Sequence, residues 1–433
     1  MIRRLLGSLA LVSLTASLIA CGAKKDDNKS SGSSSPASGG SAKSSAKPSA
    51  AKPTESAKPA EPAASSSPGQ AGCITALGDG SNLPPGDLVL KKSCGPVTLS
   101  GEVSIDDRTL TIEPGVELRF GPKAMLNIGY SQTAKIVAKG TKDAPILFTS
   151  GKDKEPGAWG ALRLYDKADR SVLEHVVFEY GGHPESNSDP GSLVLMQSLR
   201  TSMKDVSFRS GAGYGLIAIY AESAFEGEIT GCDFKGLEKG AMRINPSQLP
   251  ALGAGNTFDD KAVIAVVDGT VAKPATFRTG ATYRLFGELS VARGADDAAT
   301  PTLKIEPGVT VELVSNASLT IGYSNAGSLQ AVGTKDKPVR FTGFDKRKGG
   351  WGHIGLYAQS RDTRFENVIV EFAETTESEG AIRCESGAEA AIKDVTFQHL
   401  DGFGVSYPDA ATNKCKVEGG SADDAKGVEH KPE

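Results

Sequence analysis

The stretch LTIEPGVELRFGPKAMLNIGYS, Leu110 to Ser131, returns later in the chain as LKIEPGVTVELVSNASLTIGYS, Leu303 to Ser324. The likeness runs on through KGTKDAPILFT (139–149) and VGTKDKPVRFT (332–342), and past Trp159 and Trp351, the only two tryptophans. It closes on MKDVSFRSGAGYG (203–215) and IKDVTFQHLDGFG (392–404). A period this long exceeds a single repeat unit of any common solenoid, so the duplicated block must itself be repetitive.

A shorter motif inside the block supplies that repetition. EHVVF (174–178), KDVSF (204–208), TGCDF (230–234), ENVIV (366–370) and KDVTF (393–397) share one alternation of polar and apolar residues. Alternation over so few residues marks a short strand with one buried face. Gly, Asn, Asp, Ser and Pro cluster between the strands, as tight turns require. Glycine supplies 51 of 433 residues, about 12% against a usual ~7%. No amphipathic helix of useful length is evident, which removes the usual crossover between parallel strands. A sandwich would place strands in antiparallel hairpins without a motif that returns in register. Coiling the chain so that each turn sets its Val-x-Phe on the last satisfies every observation, and predicts an all-β parallel β-helix. In IEPG the proline fixes φ and the glycine allows the reversal, so Glu113 and Glu306 are read as turn residues.

The two ends read differently. Residues 1–20 carry Arg3 and Arg4 ahead of an apolar run too short to span a bilayer, the pattern of an export signal. Leu18-Ile19-Ala20-Cys21 resembles the lipobox of bacterial lipoproteins, which implies that Cys21 is acylated, with palmitate among its chains, and anchors the protein in a membrane. Gly22, where the inner-membrane retention rule of that class wants Asp, points to the outer membrane. Residues 21–71, rich in Ser, Ala, Pro and Lys, lack the apolar groups needed to order them and read as a tether with a mean span of about 40 Å. The expected body divides into a first half, 72–272, and a second, 273–418, with 419–433 as a disordered tail. A net charge of −4 with no basic run leaves no footprint for nucleic acid, and a monomer is expected.

Paired LTIEPG…IGYS…GTKD segments followed by W-x-G and ENV or EHV strands resemble the right-handed parallel β-helix proteins of the pectate-lyase-like superfamily. The resemblance covers residues from about Gly95 to Ser406. It implies the fold and leaves the activity open, because that fold hosts lyases, hydrolases, adhesins and scaffolds. Uronate-cleaving members use carboxylates to hold calcium and an outward Arg or Lys as base. Alternation turns Arg163, Arg243 and Arg383 outward, but Arg163 matches Gly355 in the other copy, so no catalytic residue transfers.

Other candidates are weaker. Trp159, Trp351, Tyr130 and Tyr323 recur in both copies and are candidates for stacking on sugar rings or for packing a turn. The loop 183–191, with His183, Glu185 and Asp189, offers oxygen ligands that suit calcium, as do Glu374, Glu377 and Glu379 in its counterpart; both also read as solvated turns, and no cofactor is assigned. Cys232 shares the column of Val176, Val206, Val368 and Val395 and reads as core; His175 shares that of Asp205, Gly231, Asn367 and Asp394. With Cys21 acylated, Cys73 with Cys94 and Cys384 with Cys415 are the economical disulfide pairs in an exported protein. The expected function is a non-enzymatic, lipid-anchored envelope scaffold or a surface that binds a polysaccharide or an envelope protein. The alternative is a tethered polysaccharide lyase or glycoside hydrolase.

Overall fold

Successive turns of the chain pair in parallel, valine over valine and phenylalanine over phenylalanine. In the computed structural model, which describes residues 72–431 apart from 79–82, 169, 186–189, 199, 221–225, 296 and 410, the chain forms a parallel β-helix of about 13 turns. The expected export signal, Cys21 and the expected tether lie outside the described residues. Each turn visits three sheets. In the first copy the first sheet holds Thr109–Ile112 and Lys135–Lys139, the second Glu117–Phe120 and Ile146–Ser150, and the third Met125–Ile128 and Leu162–Leu164. In this copy IEPG is the corner from first to second sheet, and IGYS the corner from third back to first. The only helical segments among the described residues are two short 3-10 turns, Lys92–Cys94 and Pro246–Ala251. No described helix is long and apolar enough to cross a membrane.

The core is a stack of like on like. Phe148, Phe178, Phe208, Phe234 and Phe258 line the inside of the second sheet, with successive ring centroids 4.9, 5.1, 4.9 and 5.5 Å apart, close to the strand spacing of about 4.8 Å. Val176, Val206, Cys232, Val368 and Val395 are all buried. Burial pushes the Cys232 thiol up to about 12, which makes it an inert piece of the interior.

Backbone geometry explains the polar column beside the valines. His175, Asp205, Gly231, Asn367, Asp394 and Gly419 all adopt positive φ, between 47° and 68°. In each turn the corner between two consecutive strands is made by this one left-handed residue, which suits Gly, Asn and Asp and leaves no metal or catalytic role to infer for His175. Glu113 and Glu306 do serve their turns. Glu113 accepts from the Lys92 N–H at 3.0 Å, and Glu306 from the Thr279 N–H at 2.9 Å.

Disulfides close both ends, Cys73 to Cys94 and Cys384 to Cys415, with Cα atoms 5.5 and 6.5 Å apart. Each lies within the reach of a disulfide and would contribute about 3 kcal/mol by restricting the unfolded chain. Two expectations about the ends and halves need correction. The expected tail 419–433 contains strands Ser421–Asp423 and Gly427–His430, which pair with the preceding turn. Val428 and Ala425 pack on the core there, so the tail supplies the last turn instead of trailing from it. The described residues also fall in one compact unit, and strands Val263–Val271 and Thr282–Val291 pair across the expected boundary at 272/273. The halves share one core.

Candidate functional site

The duplicated aromatics separate cleanly by exposure. Trp159 and Trp351 are 0% and 1% exposed, whereas Tyr130 and Tyr323 are 58% and 68% exposed. A sugar platform at either tryptophan is therefore ruled out by geometry, since no ring face reaches solvent. Each indole N–H instead donates to a backbone carbonyl, of Glu179 at 2.7 Å and of Glu371 at 2.9 Å, and so ties down the long corner that follows Ile146–Ser150 in the first copy and Val339–Gly343 in the second.

The same corner holds a constellation that single-residue reading missed. Lys346 Nζ donates to Thr342 Oγ1 at 2.9 Å, and Thr342 Oγ1 to Glu371 Oε1 at 2.8 Å. In the first copy Lys154 donates to Thr149 at 3.2 Å, and Thr149 to Glu179 at 3.5 Å. All of these positions correspond between the copies, a signal available from the alignment of the two halves. An ammonium, a hydroxyl and a carboxylate in a row could move protons. However, Glu371 is buried and further held by Arg340 Nη1 at 2.7 Å, so its oxygens are already taken by protein. Both sets clamp the corner.

The tyrosines are built outward by their own turn. Gly129 and Gly322, which precede them, have φ of 69° and 68°. A Cβ there would lie 2.5 Å from the Ala168 nitrogen or 2.2 Å from the Ser360 nitrogen, on the next turn. Only glycine lets the strand end this tightly against its neighbour, and the reversal throws the following side chain into solvent. Each ring then meets a second tyrosine one turn on, edge to face: Tyr130 with Tyr165 at 5.0 Å and Tyr323 with Tyr357 at 4.8 Å. Such pairs contribute about 0.5–1.5 kcal/mol beyond area burial, enough to hold the exposed ring in place.

Around the first pair, Asp106 Oδ1 accepts from the Ser131 and Gln132 N–H groups at 2.8 and 3.0 Å, and Lys167 Nζ donates to the Ser131 carbonyl at 2.8 Å. Around the second, partial burial and the carboxylates of Glu385 and Glu288 raise the Tyr357 phenol above its usual range. Each corner thus presents a fixed aromatic face beside polar groups. That arrangement suits a sugar ring, which offers C–H groups to the face and hydroxyls to the rim, and with two carboxylates to one guanidinium acting on Tyr357 the second corner favours a neutral ring over an acidic one.

The remaining candidates are engaged by protein. Arg163 and Arg243 both point outward from the third sheet; Arg163 lies 3.5 Å from Glu102, and Arg243 sits over the Phe286 ring at 5.9 Å. Arg383 projects from another face of the coil, in register through Gly355 and Thr320 with Ser290, and lies 3.3 Å from Glu379. In loop 183–191, Lys123 pairs with Glu185, and the Glu185 N–H donates to His183 Nδ1 at 3.1 Å; Asp189 lies outside the described residues. In its counterpart, Glu377 pairs with Lys426 at 3.2 Å. No three His, Cys, Asp or Glu side chains among the described residues converge to hold a metal ion. Two shallow clefts of about 380 and 690 Å³ adjoin at Gln330 and Asp362, with basic and acidic groups intermixed.

A family model, the pectate-lyase like beta helix domain, matches residues 86–194 and 269–379, once over each copy. The chain belongs to that family. Its coil is the right-handed type, and its members include both lyases and proteins without enzymatic activity. No curated protein matches the chain, and no solved structure does.

Proposed function

We propose that this β-helix is a non-enzymatic, lipid-anchored envelope protein that binds a neutral glycan at its tyrosine corners. One observation carries the reading: the same glycine-tyrosine turn in both copies projects a solvent-facing ring braced edge to face by a second tyrosine. Acylation of Cys21, with the tether, would hold the β-helix away from the outer membrane and leave its corners accessible. Tyrosine suits such a surface because it gives a large rigid face at little entropic cost and a hydroxyl for the rim.

Retention on immobilised neutral and acidic polysaccharides tests this directly. The wild type is expected to be held by neutral glycans, with affinity falling at least tenfold in the Tyr130→Ala, Tyr323→Ala double variant. Equal retention of both proteins would overturn the proposal. Release of unsaturated or reducing ends from any of these polymers would favour the tethered lyase or hydrolase instead. For the anchor, Cys21→Ala is expected to abolish incorporation of labelled palmitate and free the protein from the membrane fraction; labelling that survives the substitution would overturn it.

A further inference from the structure

Equivalence in sequence and equivalence in space part company midway along the rod. From Leu126, beside the first tyrosine corner, strand register runs through Leu162, Leu193, Leu216, Met242, Ile264 and Tyr283 to Val311. Val311 therefore stands in line with Leu126, in the third sheet. Its counterpart in the first copy is Leu118, which lies in the second sheet, stacked on Phe148. The counterpart of Leu126 is Leu319, and Leu319 pairs back to Leu289, one face further round. Between Pro246 and Val291 the second copy has slipped by one face.

Three faces make one turn of the coil, so the copies differ by about a third of a turn, a rotation that a solenoid carries along its whole length. The seven pairings from Leu126 to Val311, at about 4.8 Å each, also set the two tyrosine corners about 35 Å apart along the axis. The Tyr130 corner lies where the third sheet meets the first. The Tyr323 corner lies at the next edge. A straight chain laid along the rod can follow only one of them.

We infer that one molecule holds two glycan segments at once, on edges that face different ways, and so ties separate strands together. This rests on the glycan reading above and adds its valence and direction. Linking two sites on a rigid body raises the avidity for a network of chains far above that for one short piece.

Calorimetry with a β-1,4-linked N-acetylglucosamine tetramer, too short to reach between the corners, counts the sites. Two sites per wild-type molecule are expected, one in Tyr130→Ala, one in Tyr323→Ala and none in the double variant. With soluble long-chain glycol chitin, the wild type is expected to cross-link the polymer into a turbid network, and each single variant to bind without doing so. One site per molecule, lost with either substitution, would overturn the bivalent inference and leave the glycan reading standing. Absence of any tyrosine-dependent binding of the tetramer would overturn both.

Discussion

At the scale of the residue, the left-handed corners make the sharpest demand. Asn367 has φ of 49°, and its side-chain amide donates to the Gly333 carbonyl on the preceding turn at 3.3 Å. Asn367→Gly should be nearly neutral, the lost bond being offset by relief at that φ. Asn367→Val should cost about 1–3 kcal/mol, because a β-branched residue is strained there; urea unfolding of the two variants checks the ordering. His353 gives a pH signature. Burial first, then the Arg383 guanidinium, holds its imidazole down at about 4, while Glu379 pulls the other way. A histidine in the unfolded chain titrates near 6.5, so between those values unfolding takes up a proton. The stabilisation is full above about pH 6.5 and is lost as pH falls through about 4. Melting temperature should therefore drop from pH 7 to pH 5, and His353→Asn should flatten that drop; an unchanged slope would show that other groups set it.

Strands and corners were the most legible elements in the sequence, because alternation and turn chemistry are local properties. The recurring Val-x-Phe pattern names residues that do stack, and Cys232 fits its valine column. Phe208, between Phe178 and Phe234, has rings on both sides. Phe208→Ala should cost about 3–5 kcal/mol, since a solenoid cannot close a gap by shifting one turn without disturbing the next; equilibrium denaturation measures it. The tryptophans were ambiguous for a physical reason. An aromatic residue at a corner can face in or out, and the direction depends on a carbonyl contributed twenty residues later. Tyr130 and Tyr323 were equally undecided until the glycine before each showed which way the turn throws the ring. The Lys–Thr–Glu clamp joins residues from two successive turns, so no single stretch announces it, although the matched copies contain every member.

For the whole molecule, duplication was plain in the letters, but its phase was invisible. The slip depends on how many faces the chain spends between Pro246 and Val291, and composition says nothing about where a bend falls. The phenylalanine ladder ends at Phe258. Beyond it Phe277 stacks on Tyr283 at 4.0 Å, and a cleft of about 200 Å³ opens there, lined by Leu252, Phe258, Arg278 and Tyr283 among others. Burial pushes the Tyr283 phenol up to about 12, and its oxygen accepts from the Arg278 N–H at 2.9 Å. Tyr283→Phe strands that N–H and should cost about 1–3 kcal/mol. Proteolysis of the variant should cut first between 252 and 280; first cuts near either disulfide would count against the seam as the weak place.

That seam also gives the rod a preferred line of fracture. Masonry laid in matched courses carries load evenly until one course is turned, and cracks then start at the turned course. Pulled from its two ends, this protein should part at residues 252–280 and leave two intact blocks, each able to seat again on the other when the tension is released.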